Sequence, residues 1–388
     1  IIFTIGSLAC GISNSLVMLV FSRGLQAIGA AATMATSQGI ITHVFPNSER
    51  GRALGINGTF VALGAMIGPP IGGIIVSALS WNYIFLINLP IGIIAFILAK
   101  NTLPKSSKVI NEKLDIKGGI LFALTIILLF GALTYGKEVG LNNPIIILCF
   151  VLAIILFIIF IGLQRKTEVP LLNLEMFKNF LFSLSIFCAF ISFVAIASSS
   201  IIIPFYLQDV MKLNPSVTGL LMMVSPVVLG IVAPLSGHLS DKVGSEILTF
   251  IGLLGTSLGL ILMSTLNQYS ALGTIIVFMA IMTLGNGMFQ SPNNSLVMST
   301  VPKNKLGIAG SINALVRNLG IVVGVSFSTT LLYNSMSSKI GYHVTGYIAG
   351  QDDVFISGMR NVFIAAAIIC AIGAMLTAYR LYGSKVKR

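Results

Sequence analysis

Long apolar runs of about 20 residues recur twelve times along this 388-residue chain, and they limit its fold more than any other feature. They lie near residues 1–12, 14–43, 52–79, 82–100, 116–135, 144–163, 180–207, 216–238, 246–265, 270–299, 307–333 and 358–381. A bilayer's hydrocarbon core, about 30 Å thick, is crossed by roughly 20 helical residues. Lipid offers backbone groups no hydrogen-bond partner, so each run is expected to span as a helix. The runs are too long and continuous for the short alternating strands of a membrane barrel. Only 9% of residues are charged and 56% are hydrophobic, whereas an ordinary soluble domain is about 25% charged. The 34 charged residues cannot cover a water-facing surface of this size, which excludes a soluble globule. The expected class is all-α and polytopic, with the lipid bilayer as partner.

The formal net charge of +12 is unevenly placed. Seventeen of the 23 Lys and Arg collect in alternate loops: Arg50 and Arg52; Lys100, Lys105, Lys108, Lys113 and Lys117; Arg165, Lys166 and Lys178; Lys242; Lys303 and Lys305; Arg380, Lys385, Lys387 and Arg388. The other loops carry Lys137, Lys212, Lys339 and Arg360. By the positive-inside rule the first set is cytoplasmic, which places both chain ends inside with an even number of spans. No basic run is interleaved with aromatics, so nucleic acid is not an expected partner. The four cysteines lie in apolar runs without metal-site spacing and read as core residues, so no metal is expected.

Polar, Lys-rich segments at 100–117 and 164–179 divide the spans into four, two and six. The expected organisation is an N-terminal bundle over 1–100, linkers with two central spans over 101–179, and a six-helix bundle over 180–388. The chain opens on Ile1, and about eleven apolar residues precede the Ile12-Ser13-Asn14-Ser15 break, too few to cross alone. This reads as the remainder of a longer protein; the alternative is one span from Ile1 to Phe21.

Several motifs carry chemistry. Arg23 and Gln26, at i and i+3, share a helical face. An Arg in an apolar span costs several kcal/mol or more unless it meets water or a partner, which makes Arg23 a functional candidate; the alternative is an interfacial, snorkelling Arg. Gly64, Gly68 and Gly72 at spacing four are expected to form a groove for a neighbouring backbone, with Pro69 and Pro70 weakening the helix and Gly73 adjoining. Gly237, Asp241, Lys242 and Gly244 form a tight turn whose acid caps a helix or pairs across the bundle. Asn313, Arg317, Gly320 and Gly324, at steps of four, three and four, are expected on one helical face, with Arg317 a buried charge. Gln290 and Asn293 flank Pro292, a polar break tolerated only against protein or a water-filled cavity.

These segments resemble the major facilitator superfamily, and specifically its fourteen-span drug:proton antiporters. Residues 23–31 resemble an Arg-x-x-Gln-Gly-x-Gly-Ala motif, with Ala27 at a usual Gly; residues 64–73 resemble the Gly-x-x-x-Gly-Pro-x-x-Gly-Gly antiporter signature in full. Residues 81–92 and 114–118 resemble the openings of the sixth and seventh spans. Residues 237–244 resemble the second copy of the Gly-x-Leu-x-Asp-Arg-x-Gly loop, with Ser245 and Glu246 where basic residues often follow. The resemblance implies a major facilitator fold with twelve of fourteen spans present. It also implies that a first-span carboxylate taking part in proton coupling lies outside this sequence.

The function so implied is a proton-driven exporter working by alternating access, with a site between two helical bundles. It is a transporter rather than an enzyme, since no His-Glu-x-x-His or Ser/His/Asp set occurs. The proton gradient would supply its energy, without a cofactor. Arg23, Gln26, Asn313 and Arg317 would serve coupling, together with Asp209, the outer acid closest to a span end. Asn57, Asn88, Gln290 and Asn293 would line a largely apolar cavity suited to lipophilic or amphipathic small molecules. The protein is expected to be a monomer in the cell membrane. The alternatives are a carrier of amino acids, peptides or siderophores and a non-transporting membrane sensor.

Overall fold

The computed structural model describes residues 1–44, 47–102, 115–139, 143–168, 170–302 and 305–386. The side chains of Asn57 and Asp241 lie outside the described residues, as do those of Arg50, Arg52, Lys105, Lys108, Lys113, Lys137, Lys303, Lys385, Lys387 and Arg388. The described chain is helical throughout: α1 (Ile2–Gly11), α2 (Leu16–Val44), α3 (Asn47–Ala78), α4 (Tyr83–Leu86), α5 (Asn88–Thr102), α6 (Ile116–Val139), α7 (Pro144–Gln164), α8 (Phe180–Phe205), α9 (Pro215–Met222), α10 (Val224–Val243), α11 (Ser245–Met263), α12 (Leu272–Ser299), α13 (Leu306–Ile340) and α14 (Asp352–Val386). A 3-10 turn precedes α8 at Leu174–Lys178, and a π turn follows it at Tyr206–Val210.

Ten helical segments among the described residues are long and apolar enough to cross a membrane, and two shorter apolar helices, Ile2–Gly11 and Leu63–Ala78, complete the twelve runs of the sequence. Two runs are broken internally: α4 and α5 share one, α9 and α10 another. A single helix from Ile1 to Phe21 is not formed. α1 stops at Gly11, Ser13 Oγ donates to Cys10 O at 2.7 Å, and Ser15 Oγ accepts from Met18 N at 3.2 Å. Both hydroxyls thus satisfy backbone groups that the interrupted helix leaves open.

The chain forms two compact units. The first comprises residues 1–110 with 213–227, and the second residues 111–212 with 228–388. In the first, α1 packs on α2, and α3 packs on α9. In the second, α8 packs on α12, α13 and α14, α11 packs on α12 and α14, and α6 pairs with α7. Backbone approach is closest between α11 and α12. A Cβ on Gly252 would lie 2.5 Å from Phe289 N, and one on Gly285 would collide with Thr256 N. Small residues there replace the hydrophobic drive that lipid removes.

Candidate functional site

In the first unit Arg23 belongs to a three-residue polar chain. Its Nη1 donates to Gln26 Oε1 at 2.7 Å; Gln26 Nε2 donates to Ser7 Oγ at 2.8 Å, and Ser7 Oγ donates to Phe3 O at 2.9 Å. Gln26 is 5% exposed, while Arg23 is exposed, its guanidinium 5.7 Å from the Phe85 ring centroid. The amide can sit at the α1–α2 contact because Gly6 bares the α1 backbone; a Cβ there would lie 2.5 Å from Gln26 N. A buried primary amide engaged at both ends therefore fixes one face of an exposed cation. Asn88 is half-buried and donates weakly to Ile84 O at 3.4 Å.

The glycine expectation for α3 needs correcting. A Cβ on Gly64, Gly68 or Gly72 would meet nothing within 4 Å, so these three do not receive a neighbouring backbone. The close face is the adjacent one. A Cβ on Gly73 would collide with Pro215 O, and one on Gly219 would lie 2.5 Å from Pro69 O. Ser77 and Ser216 hydroxyls share a 2.5 Å hydrogen bond along the same seam. Pro69 and Pro70 cannot donate to the carbonyls four residues before them, and α9 meets the helix at and just beyond the pair.

In the second unit α8 and α12 are stitched by two polar rungs. Ser192 Oγ donates to Asn286 Oδ1 at 3.0 Å, and Asn293 Nδ2 donates to Ser185 O at 3.1 Å. Both pairs are buried and spaced seven residues apart, the repeat that returns a side chain to one helix face. Asn293, expected on a cavity wall, is 2% exposed between helices, so its amide holds α12 to α8 instead. Gln290 is half-buried, and Asn313 Nδ2 donates to Asn294 Oδ1 at 3.0 Å.

Arg317 is exposed on α13, not buried, and has no hydrogen-bond partner among the described residues. Its neighbours Gly320 and Gly324 face α8, where a Cβ would lie 2.8 Å from Phe193 Cβ and 2.6 Å from Val194 O respectively. The four-residue pattern thus straddles two faces, glycines against the helix and guanidinium away from it. Asp209 is half-buried in the π turn, and Lys212 feels its charge. Residues 237–243, expected as a tight turn, continue α10 instead, and the break falls at Gly244 (φ +97°) alone, which supplies the backbone sign change before α11; a Cβ on Gly237 would lie 2.8 Å from Ser291 Oγ, and Lys242 is exposed.

One residue read from the sequence as a loop charge is a buried cation. Arg380 is 5% exposed, with Nη1 donating to Ser185 Oγ at 3.2 Å and Nη2 to Thr249 Oγ1 at 2.6 Å. The Glu246 carboxylate acts on it electrostatically from the first turn of α11. A signal was present: Arg380 follows an unbroken apolar run at the end of the last span, and Glu246 stands where a basic residue was expected.

A family model described as "Major Facilitator Superfamily" matches residues 1–325. The chain is 36% identical over 381 residues to the riboflavin transporter RibZ of Clostridioides difficile, covering 97% of this chain and 80% of the relative. It is 29% identical over 344 residues to the multidrug resistance protein Stp of Mycobacterium tuberculosis, covering 88% and 64%. Among solved structures it aligns with a POT family transporter in complex with a thioalcohol-conjugated peptide, at a TM-score of 0.69 and 16% identity, over 100% of this chain and 80% of the other. A bacterial homolog of the human lysosomal transporter Spinster aligns at a TM-score of 0.60 and 16% identity over 97% and 80%; both likenesses concern the fold.

Proposed function

Given that the chain belongs to the major facilitator superfamily, we propose that it is a proton-coupled antiporter exporting lipophilic or amphipathic compounds by alternating access. The observation carrying this reading is the seam in which the Gly-Pro segment of α3 meets α9 backbone to backbone. That segment is the one resembling the antiporter signature, and its packing gives the motif a mechanical role: a proline-weakened helix held by direct backbone contact. Arg23 and Arg317 then serve as exposed cations that would favour the ionised form of a carboxylate brought near them during transport and so set when it takes a proton. Relatives named for multidrug and lincomycin resistance support an exported drug-like substrate. Orientation follows the charge bias, with the C-terminus cytoplasmic in the cell membrane. The protein works as a monomer driven by the proton gradient, needs no cofactor and performs no enzymatic step.

A second reading, carriage of a flavin-like planar heterocycle, is favoured by the 36% identity to a riboflavin transporter. One experiment separates the two. The full-length protein in proteoliposomes is given an acid-inside pH gradient, then lipophilic cations, neutral drugs or riboflavin, and proton efflux is followed. Efflux driven by the cations and drugs, lost in Arg317→Ala with membrane insertion intact, is the expected result. Riboflavin flux alone establishes the second reading, and normal transport by Arg317→Ala removes that residue from coupling.

A further inference from the structure

Lys212 has φ +55°, and among the described residues it is the one non-glycine with a left-handed backbone. An L-residue there is uphill of its ordinary conformations and persists only where its surroundings over-determine it. Both sides are fixed. Upstream, Pro204 loosens the helix and the chain winds into the π turn Tyr206–Val210, closed by Met211 N donating to Tyr206 O at 3.0 Å. Tyr206 is fully buried, and its hydroxyl donates to Asn267 O at 2.7 Å. Downstream, Asn214 Oδ1 accepts from Val217 N at 2.9 Å and caps α9.

The side chain of Lys212 is held as well. Its Nζ lies 4.8 Å from the Tyr347 ring centroid and donates to Tyr347 Oη at 3.1 Å, while that hydroxyl donates to Asp352 Oδ1. Tyr347 itself stands edge-on to Phe355, and Lys339 Nζ donates to Asp353 O at 2.8 Å, so the segment joining α13 to α14 is pinned at both ends. All these residues belong to the second unit.

We propose that Lys212, Tyr347 and Asp352 form a latch within the second unit that holds the strained backbone at the end of the π turn. They are positioning residues for transport: the latch sets the rate of the conformational step and leaves substrate recognition to other residues. The inference rests on the transport reading, but the latch has a readout of its own.

The test uses the full-length protein in proteoliposomes, measuring solute flux and amide hydrogen exchange over 206–214. Tyr347→Phe keeps the ring over Lys212 and removes the hydroxyl. It should raise exchange in that segment about tenfold, in keeping with the loss of charge-assisted hydrogen bonds, and change maximal flux with KM held within about twofold. Asp352→Asn should act in the same direction. Lys212→Ala loses the latch and keeps the strain, whereas Lys212→Gly takes φ +55° freely, so Gly should be the more stable of the pair on heating. Unchanged exchange and flux in Tyr347→Phe overturn the latch, as does a KM effect without a change in maximal flux. If the parent protein moves no solute while the variants still raise exchange, the latch stands as a structural device and the transport reading fails.

Discussion

Buried polar side chains in this molecule join segments that the sequence keeps far apart, and their partners decide their roles. Gln164, 3% exposed at the end of α7, donates from Nε2 to Asp115 Oδ2 at 2.5 Å and accepts from Leu172 N at 2.9 Å. Asp115 also caps α6, accepting from Gly118 N at 2.8 Å. Hydrogen bonds from the Gln164 amide, first, and from the Gly118 backbone hold the Asp115 carboxyl below the usual carboxylate range. The folded state therefore prefers the ionised form. Its contribution is complete above the unfolded pKa near 4 and is lost as pH falls through the lower folded value. In thermal unfolding in detergent, Asp115→Asn should be less stable than the parent at neutral pH, with the gap narrowing on acidification below about pH 4. Gln26→Leu should cost about 1–3 kcal/mol by stranding the Arg23 and Ser7 groups it joins, read as a lower melting temperature. The sequence placed Arg23 and Gln26 on one face because i and i+3 are local. It could not place Arg380, whose partners Ser185 and Thr249 lie 195 and 131 residues away.

Helices were the most legible level, since about 20 apolar residues admit one spanning form in lipid. What the pattern left open was which face of a helix meets which neighbour. Spacing of four defines a glycine stripe but not its partner, and on α3 the stripe of Gly64, Gly68 and Gly72 is open while the contact runs through Pro69 and Gly73. The break inside the eighth run has a related reason: Met223, at that junction, is as apolar as Met222 and Val224. A pair of substitutions tests the seam. Gly73→Val should separate α3 from α9 and lower folded yield, because the new side chain meets Pro215 O; Gly68→Val, facing open space, should leave folding unchanged. Equal loss in both would refute the assignment of the face. On the α11–α12 contact, Gly285→Leu should be worse than either, since overpacking costs typically 1–3 kcal/mol even where the backbone yields a little.

At the scale of the whole molecule, the uneven placement of charge is an orientation statement that the fold makes testable. Within the second unit, Lys242 lies exposed in the last turn of α10, next to its junction with α11, while Tyr342, 58% exposed, follows Gly341, which ends α13 in the left-handed region. One loop belongs to the basic set and the other to the set poor in Lys and Arg, so the positive-inside rule assigns them to opposite faces of the membrane. Cys10, Cys188 and Cys370 are buried and Cys149 is partly so, which makes a cysteine-free parent attainable with small replacements. In intact cells carrying that parent, a membrane-impermeant thiol reagent should label Tyr342→Cys. Lys242→Cys should be labelled only after the membrane is opened. The reverse pattern would invert the protein and move Lys212, Tyr347 and Asp352 to the cytoplasmic side. Labelling of both in intact cells would remove the membrane barrier between the two loops and with it the span assignment of α11 through α13. The expected result places Asp209 and the exposed Lys212 on the face of the membrane opposite Lys242.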